Sequence, residues 1–198
     1  MSEIRIIPKP ESISWDVISD VLHQAHRANA EKGFVQNTAF ISGNEIKGKV
    51  GNGLCVVAID GNKIVGTLSA TPKLKNAWFF HGNALYYMLL AILPEYQGKG
   101  IYKRLISVRE EYTKKLGVNL TYMYTAEKNI KMQQLAEKEG FIPVGYSVSS
   151  QTDYYSVILA KWSDSCPYSN FYCKFRFLLS KYYIKLRYKQ GAVKRFGI

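Results

Sequence analysis

The segment from Ala84 to Leu116 constrains the fold of this chain more than any other. Ala84–Leu93 is an unbroken run of ten apolar or aromatic residues that stops at Pro94. A membrane-spanning helix needs about 20 such residues, so the run fits a buried strand instead. Gln97-Gly98-Lys99-Gly100 then predicts a tight turn. From Ile101 the apolar residues Ile101, Leu105, Ile106 and Val108 recur with helical spacing, while Lys103, Arg104, Glu110 and Lys114 fall elsewhere, and Gly117 ends the helix. A buried strand, a glycine turn and a basic helix in immediate succession belong to a fold in which strands and helices alternate.

The rest of the chain extends that pattern. Ile4–Ile7 reads as a short strand stopped by Pro8 and Pro10. Ser14 is placed to cap a helix running to about Lys32, with Val17, Ile18, Val21, Leu22 and Ala25 near one face and Gly33 beyond its end. The polar, glycine-containing stretch 34–53 reads as a long connection of the kind that often binds ligands. Leu54–Asp60 and Lys63–Ala70 flank Gly61-Asn62, a hairpin signature. Thr71–Gly82 reads as a second connection, containing Pro72 and the aromatic group Trp78-Phe79-Phe80. Val118–Ala126 predicts a strand, and Asn129 a helix cap for residues up to Glu139, closed by Gly140. Phe141–Val148 and Tyr154–Lys161 predict two final strands. The resulting order is β-α-β-β-β-α-β-α-β-β, a mixed α/β (α+β) sandwich. Residues 1–161 form its domain.

Residues 162–198 differ in composition. They hold eight Lys/Arg against Asp164 alone, in a chain of net charge +12. Phe171, Phe175, Leu178, Leu179, Tyr182 and Leu186 fit one helical face, predicting a helix to about Tyr183 in a basic aromatic C-terminal extension, while Tyr182, Ile184, Leu186 and Tyr188 also alternate with basic residues as in a strand. The excess charge favours anionic partners without naming one. Tyr172, Phe175, Tyr182 and Tyr188 with their Lys/Arg neighbours suit contact with nucleic acid or a membrane surface, although no specific nucleic-acid module is present. The simpler expectation is an extension packed across the sheet or against a second copy in a homodimer. The start of the chain lacks an apolar signal-like core, so a soluble cytoplasmic protein is expected. Cys55, Cys166 and Cys173 make a poor disulfide framework, and with His23, His26 and His81 they complete no ligand set, so no metal is expected.

The turn at 97–100 carries the chemistry. Glycines let the backbone approach a ligand closely, and turn amides can converge on phosphate. The helix beginning at Ile101 adds its positive dipole end, and Lys99, Lys103 and Arg104 add charge. The combination suits a pyrophosphate. A P-loop is excluded because Gly-x-x-x-x-Gly-Lys-Ser/Thr is absent, and a dinucleotide fingerprint because Lys103 stands where its third glycine belongs.

Leu90-Ala91-Ile92 through Gln97-Gly98-Lys99-Gly100-Ile101-Tyr102-Lys103 resembles the acetyl-CoA motif of the GCN5-related N-acetyltransferase (GNAT) superfamily. That motif is Gln/Arg-x-x-Gly-x-Gly/Ala after a strand that ends near proline. Tyr102 departs from it, standing where a small residue is usual. Asn129 and Gly140-Phe141 resemble the family's later Asn…Gly-Phe signature, and the element order agrees over residues 3–161. The resemblance implies a mostly antiparallel central sheet flanked by helices, with acetyl-CoA as co-substrate and a small-molecule amine or amino sugar as acceptor. It implies that Leu90, Ala91 and Ile92 pair with the pantetheine arm, that the Ile92 amide faces the thioester carbonyl, and that Gly98–Lys103 hold the pyrophosphate. Asn129 would lie near the thiol.

The family's customary glutamate falls on Tyr86 and its customary tyrosine on Ala136, so the usual acid–base pair is missing. Tyr124, Glu127 and His81 are the candidates for proton transfer, beside a water relay. The missing pair also leaves open a non-catalytic CoA-binding or regulatory domain of the same fold.

Overall fold

A computed structural model describes residues 4–30, 36–148 and 154–189 of the 198-residue chain. The elements are β1 (Arg5–Pro8), α1 (Trp15–Ala30), α2 (Gly43–Val50), β2 (Leu54–Asp60), β3 (Lys63–Ala77), β4 (Phe80–Ile92), α3 (Ile101–Leu116), β5 (Leu120–Ala126), α4 (Ile130–Lys138), β6 (Ile142–Val148), β7 (Tyr155–Trp162) and α5 (Asn170–Lys189). This is the expected mixed, mostly antiparallel α/β arrangement with flanking helices. Met1–Lys73 with Leu85–Val118 form one compact unit, and Leu74–Ala84 with Asn119–Ile198 form the other.

In the first unit the strands lie in the order β1-β2-β3-β4. β1 and β3 both pair antiparallel with β2, and Asp60 opposite Lys63 leaves Gly61-Asn62 as the two-residue hairpin loop. Val56, Val57 and Ala58 are all fully buried, so β2 is covered on both faces. The cover comes from helices whose apolar stripes join one core: Ile18 and Leu22 of α1, Ile46 and Val50 of α2, Ile101 and Leu105 of α3. Burying each such side chain stabilises the fold by about 1.5–3 kcal/mol relative to exposure. Ser14 caps α1 as expected, accepting from the Asp16 amide at 3.1 Å.

Two predicted connections are not loops. Residues 43–50 are α2, whose glycines disguised it. Gly43 is required by packing, because a Cβ there would stand 2.3 Å from Asp16 Oδ1 and 2.8 Å from the Trp15 and Asp16 backbone. The available signal was Ser42-x-x-Glu45. The Glu45 amide donates to Ser42 Oγ at 3.3 Å, and the Ser42 amide donates to Glu45 Oε2 at 2.8 Å, a reciprocal capping box. Of the stretch 34–53, residues 34 and 35 lie outside the described residues, as do Lys32 and Gly33. The second correction is Thr71–Gly82: β3 continues to Ala77, and β4 begins at Phe80. Pro72 is tolerated because pairing with β2 ends at Leu54 opposite Ala70, so β3 has run past that neighbour.

In the second unit the order is β5-β7-β6, antiparallel throughout. Asn129 caps α4, its Oδ1 accepting from the Met132 amide at 3.2 Å, and Gly140 turns the chain into β6 at φ 88°. α5 packs on β6. The Tyr146 amide donates to Ser180 Oγ at 3.0 Å, and the Tyr146 and Phe177 rings lie 5.0 Å apart. The helix runs to Lys189, beyond the expected Tyr183. Phe171, Phe175, Leu178, Leu179, Tyr182 and Leu186, the residues that share one helical face, are all exposed. Cys173, Phe177 and Ser180 occupy the inner face instead.

Candidate functional site

Leu90–Lys103 belong to the first unit, and His81, Tyr124, Glu127 and Asn129 to the second. The cofactor segment begins in a distorted strand. Leu89 has φ 56°, the one positive-φ residue other than glycine among the described residues. Such a conformation costs about 1–3 kcal/mol and persists only where surrounding packing enforces it. Leu89 itself is buried, and its kink immediately precedes Leu90, Ala91 and Ile92. On the β3 side the approach is close. The Leu93 amide donates to the Val65 carbonyl at 2.9 Å, and a Cβ on Gly66 would lie 3.1 Å from the Ala91 carbonyl oxygen. No sequence signal marked Leu89, because a left-handed residue in a strand is ordinarily glycine or asparagine.

A short turn of 3-10 helix, Pro94–Tyr96, leads into the glycine loop. The base of the loop is anchored. Tyr96 donates to Asp60 at 2.9 Å, Lys63 pairs with Glu95 at 3.0 Å, and Gln97 Nε2 donates to the Ile92 carbonyl at 3.2 Å. The Asp60 carboxylate raises the Tyr96 phenol above its usual range. Gly98 and Gly100 are both left-handed, at φ 79° and 76°, and nothing stands within 4 Å of where either would carry a Cβ. The backbone is open to a ligand there. Lys99 lies over the Tyr96 ring at 4.6 Å, and Lys103 is exposed.

α3 starts at Ile101 without a side-chain cap, and its first backbone bond runs from the Arg104 amide to the Gly100 carbonyl at 3.4 Å. The amides of Ile101, Tyr102 and Lys103 therefore precede the helical ladder and form the positive end of a 16-residue helix. The helix is fixed to β4 by a buried contact. The Arg109 guanidinium, 2% exposed, lies 3.7 Å from the Tyr87 ring centre and pairs with Glu110 at 3.1 Å. Tyr87 also shares a 2.7 Å hydrogen bond with Thr113. Strand and helix thus hold both ends of the glycine loop. A pyrophosphate fits this arrangement: open left-handed glycines, uncapped helix amides and adjacent cations.

In the second unit, Lys75 Nζ donates to the Tyr124 hydroxyl at 3.3 Å and lies 5.1 Å from the Tyr122 ring centre. Burial, with a smaller contribution from Tyr124, pushes the Tyr122 phenol up to about 12. Glu127 accepts from Lys185 at 2.9 Å and from Tyr146 at 3.1 Å, with Lys181 at 3.5 Å. Burial alone would raise its carboxyl. The hydrogen bonds from Lys185 and Tyr146 and the two lysine charges outweigh that, holding it below the usual carboxylate range. Burial and the adjacent Glu127 raise the Tyr146 phenol well above its usual range. His81 is exposed, its Nδ1 hydrogen-bonded to Asn76 Oδ1. Tyr86 is half-buried on β4, and Ala136 is fully buried in α4.

Two features of the first unit escaped sequence reasoning. Burial, opposed by a hydrogen bond with the Gln36 side chain and aided by the nearby His23, lowers His26 from 6.5 to about 4, so its imidazole is neutral at pH 7. A cavity of about 550 Å³ opens beside Lys9, Trp15, Asp16, Lys47, Gly53 and Cys55. It lies at the end of β2 opposite Asp60, the anchor of the glycine loop. Cys55 and Asp60 are separated by five residues of strand, roughly 17 Å at about 3.3 Å per residue. That distance places the cavity outside the cofactor segment.

No curated protein matches the chain. Among solved structures it is similar to Arabidopsis thaliana NAA60 in complex with a bisubstrate analogue, at 18% identity and TM-score 0.58, over 82% of this chain and 100% of that one. It is similar to the ribosomal-protein-S18-alanine N-acetyltransferase of Escherichia coli, at 15% identity and TM-score 0.59, over 81% and 94%. It is also similar to an acetyltransferase from Streptococcus agalactiae, at 15% identity and TM-score 0.62, over 80% and 98%. These likenesses concern the fold. The model of the acetyltransferase (GNAT) family matches residues 15–141, which include the whole of the glycine loop and both helices that border it in sequence. The chain belongs to the acetyltransferase (GNAT) family.

Proposed function

We propose that this protein is an acetyl-CoA-dependent N-acetyltransferase that acetylates the amine of a small molecule or amino sugar by direct attack. The observation that carries the reading is the pair of open left-handed glycines, Gly98 and Gly100, leading into the uncapped N-terminus of α3. Acetyl-CoA, when bound, supplies the acetyl group as an activated thioester. The amides of Gly98 to Lys103 and the charges of Lys99 and Lys103 hold the pyrophosphate. The segment Leu90-Ala91-Ile92, which follows the Leu89 kink, aligns the pantetheine arm by backbone pairing. The Ile92 amide acts as the donor for negative charge developing on the carbonyl oxygen.

The acceptor must reach the site as a neutral amine, with its proton passed to water or to a side chain. Among the candidates, the hydroxyl of Tyr124 is the favoured proton donor to the departing thiolate. Its oxygen accepts from Lys75 at 3.3 Å. Glu127 is engaged by Tyr146 and Lys185, and His81 by Asn76.

The test measures CoA thiol release with acetyl-CoA and a panel of amines, amino sugars and short peptides. Release that depends on a small amine or amino sugar is expected. Peptide-dependent release would move the acceptor class to proteins. Tight CoA binding without turnover on any acceptor would favour a non-catalytic CoA-binding domain.

A further inference from the structure

We propose that α5 is a docking surface for anionic lipid membranes. Phe171, Phe175, Leu178, Tyr182 and Leu186 recur at steps of three and four residues, which places them in one stripe along the helix. They are 79%, 49%, 61%, 69% and 47% exposed. The opposite face is taken up by the sheet: Cys173 is buried, Phe177 meets Tyr146, and Ser180 accepts from the Tyr146 amide. The helix therefore cannot roll to hide the stripe without breaking its own anchorage.

The charge around the stripe identifies the occupant. At about 100° per residue, Lys174, Lys181 and Lys185 flank it on one side, while on the other side Arg176 and Arg187 lie beyond the exposed Leu179, Tyr172 and Tyr183, which widen the apolar face. No acidic residue occurs on the helix. Lys181 and Lys185 also reach Glu127, Arg176 lies over Trp78, and Arg187 donates to Tyr183. Lys174 and Arg187 are exposed. An apolar aromatic stripe bordered on both sides by cations matches the boundary between acyl chains and anionic headgroups, with the long basic side chains reaching up to the phosphates. The helix lies flat on such a surface, because no helix among the described residues is long and apolar enough to cross a membrane. A second copy is the weaker occupant, since a symmetric α5–α5 contact would bring two sets of cations together with no acidic residue on either helix to offset them. Nucleic acid would satisfy the cations but leave Leu178 and Leu186 in water.

The experiment is co-sedimentation of the full chain with vesicles of pure phosphatidylcholine and of equimolar phosphatidylcholine and phosphatidylglycerol. Binding to the anionic vesicles is expected, about tenfold or more tighter than to the neutral ones, and weakening as salt rises. The triple variant Phe175→Ser, Leu178→Ser, Tyr182→Ser should lose at least about tenfold in affinity with an unchanged melting temperature, because all three side chains are exposed. Lys174→Glu with Arg187→Glu should remove the preference for anionic vesicles. The proposal is overturned if the wild-type chain stays in solution with anionic vesicles at low salt, or if the triple variant binds them equally well. It is also overturned if the stripe instead mediates self-association, seen as a dimer that the triple variant dissolves in a chain that binds no vesicles. Stripe-dependent binding of single-stranded DNA without vesicle binding overturns it as well.

Discussion

Lys75 donates its ammonium proton to the hydroxyl of Tyr124 at 3.3 Å, joining the β3–β4 ribbon to the middle of β5. Tyr124→Phe is expected to lower kcat by about 10²–10⁴-fold while leaving the Kd for CoA unchanged. Lys75→Met should lower kcat less, also without weakening CoA. Stopped-flow kinetics and calorimetry on the two variants separate turnover from binding. Wild-type kcat in Tyr124→Phe across the pH profile would leave a water relay as the route for the proton.

Gly98→Asp and Gly100→Asp are each expected to abolish measurable CoA binding. A carboxylate there opposes the pyrophosphate, and an aspartate must also adopt φ near 79° or 76°. The loop is exposed and nothing stands within 4 Å of the added Cβ, so the fold should survive. Calorimetric titration with CoA, beside a circular-dichroism melt, checks both halves. Undiminished affinity in a folded variant would mean that the loop serves another purpose.

Glu127→Gln is expected to act chiefly on stability. Its carboxylate binds Tyr146 and Lys185, fastening α5 at a partly exposed site. A pair of that kind contributes about 1 kcal/mol. Because the folded carboxyl lies below the usual range, the contribution is present above that range and is lost as pH falls through the folded value. Chemical denaturation at neutral and acid pH should show the variant less stable than wild type only at the higher pH. A loss of kcat far larger than the loss of stability would make Glu127 a proton-transfer group instead.

His26 sets a second acid dependence. Its imidazole falls from 6.5 to about 4 on folding. Between those values the unfolded chain binds a proton that the folded chain does not. Stability contributed by the neutral ring is complete above pH 6.5 and declines as pH falls toward 4, by at most about 1.4 kcal/mol per pH unit. His26→Gln should flatten that slope in urea titrations taken at successive pH values. An unchanged slope would assign the acid sensitivity to other groups.

What the sequence determined by itself is the structure written into neighbouring residues. The Gly61-Asn62 hairpin, the start and end of α3, the Asn129 cap and the glycine turn at 98–100 depend on backbone freedom and local hydrogen bonding, which a short window of residues specifies. What only the tertiary structure decided depends on partners distant in the chain. Gly43 looked like a loop residue because the reason for its small size is Asp16, on another helix. Thr71–Ala77 became strand because β4 pairs with it, despite Pro72. Leu89 is held left-handed by packing that no local preference of leucine would reveal. The direction α5 faces was set by β6: Tyr146 offers an amide to Ser180 and a ring to Phe177, and those contacts turned the more apolar stripe outward. Periodicity identifies a face, but which face is buried depends on what the neighbouring element presents to it.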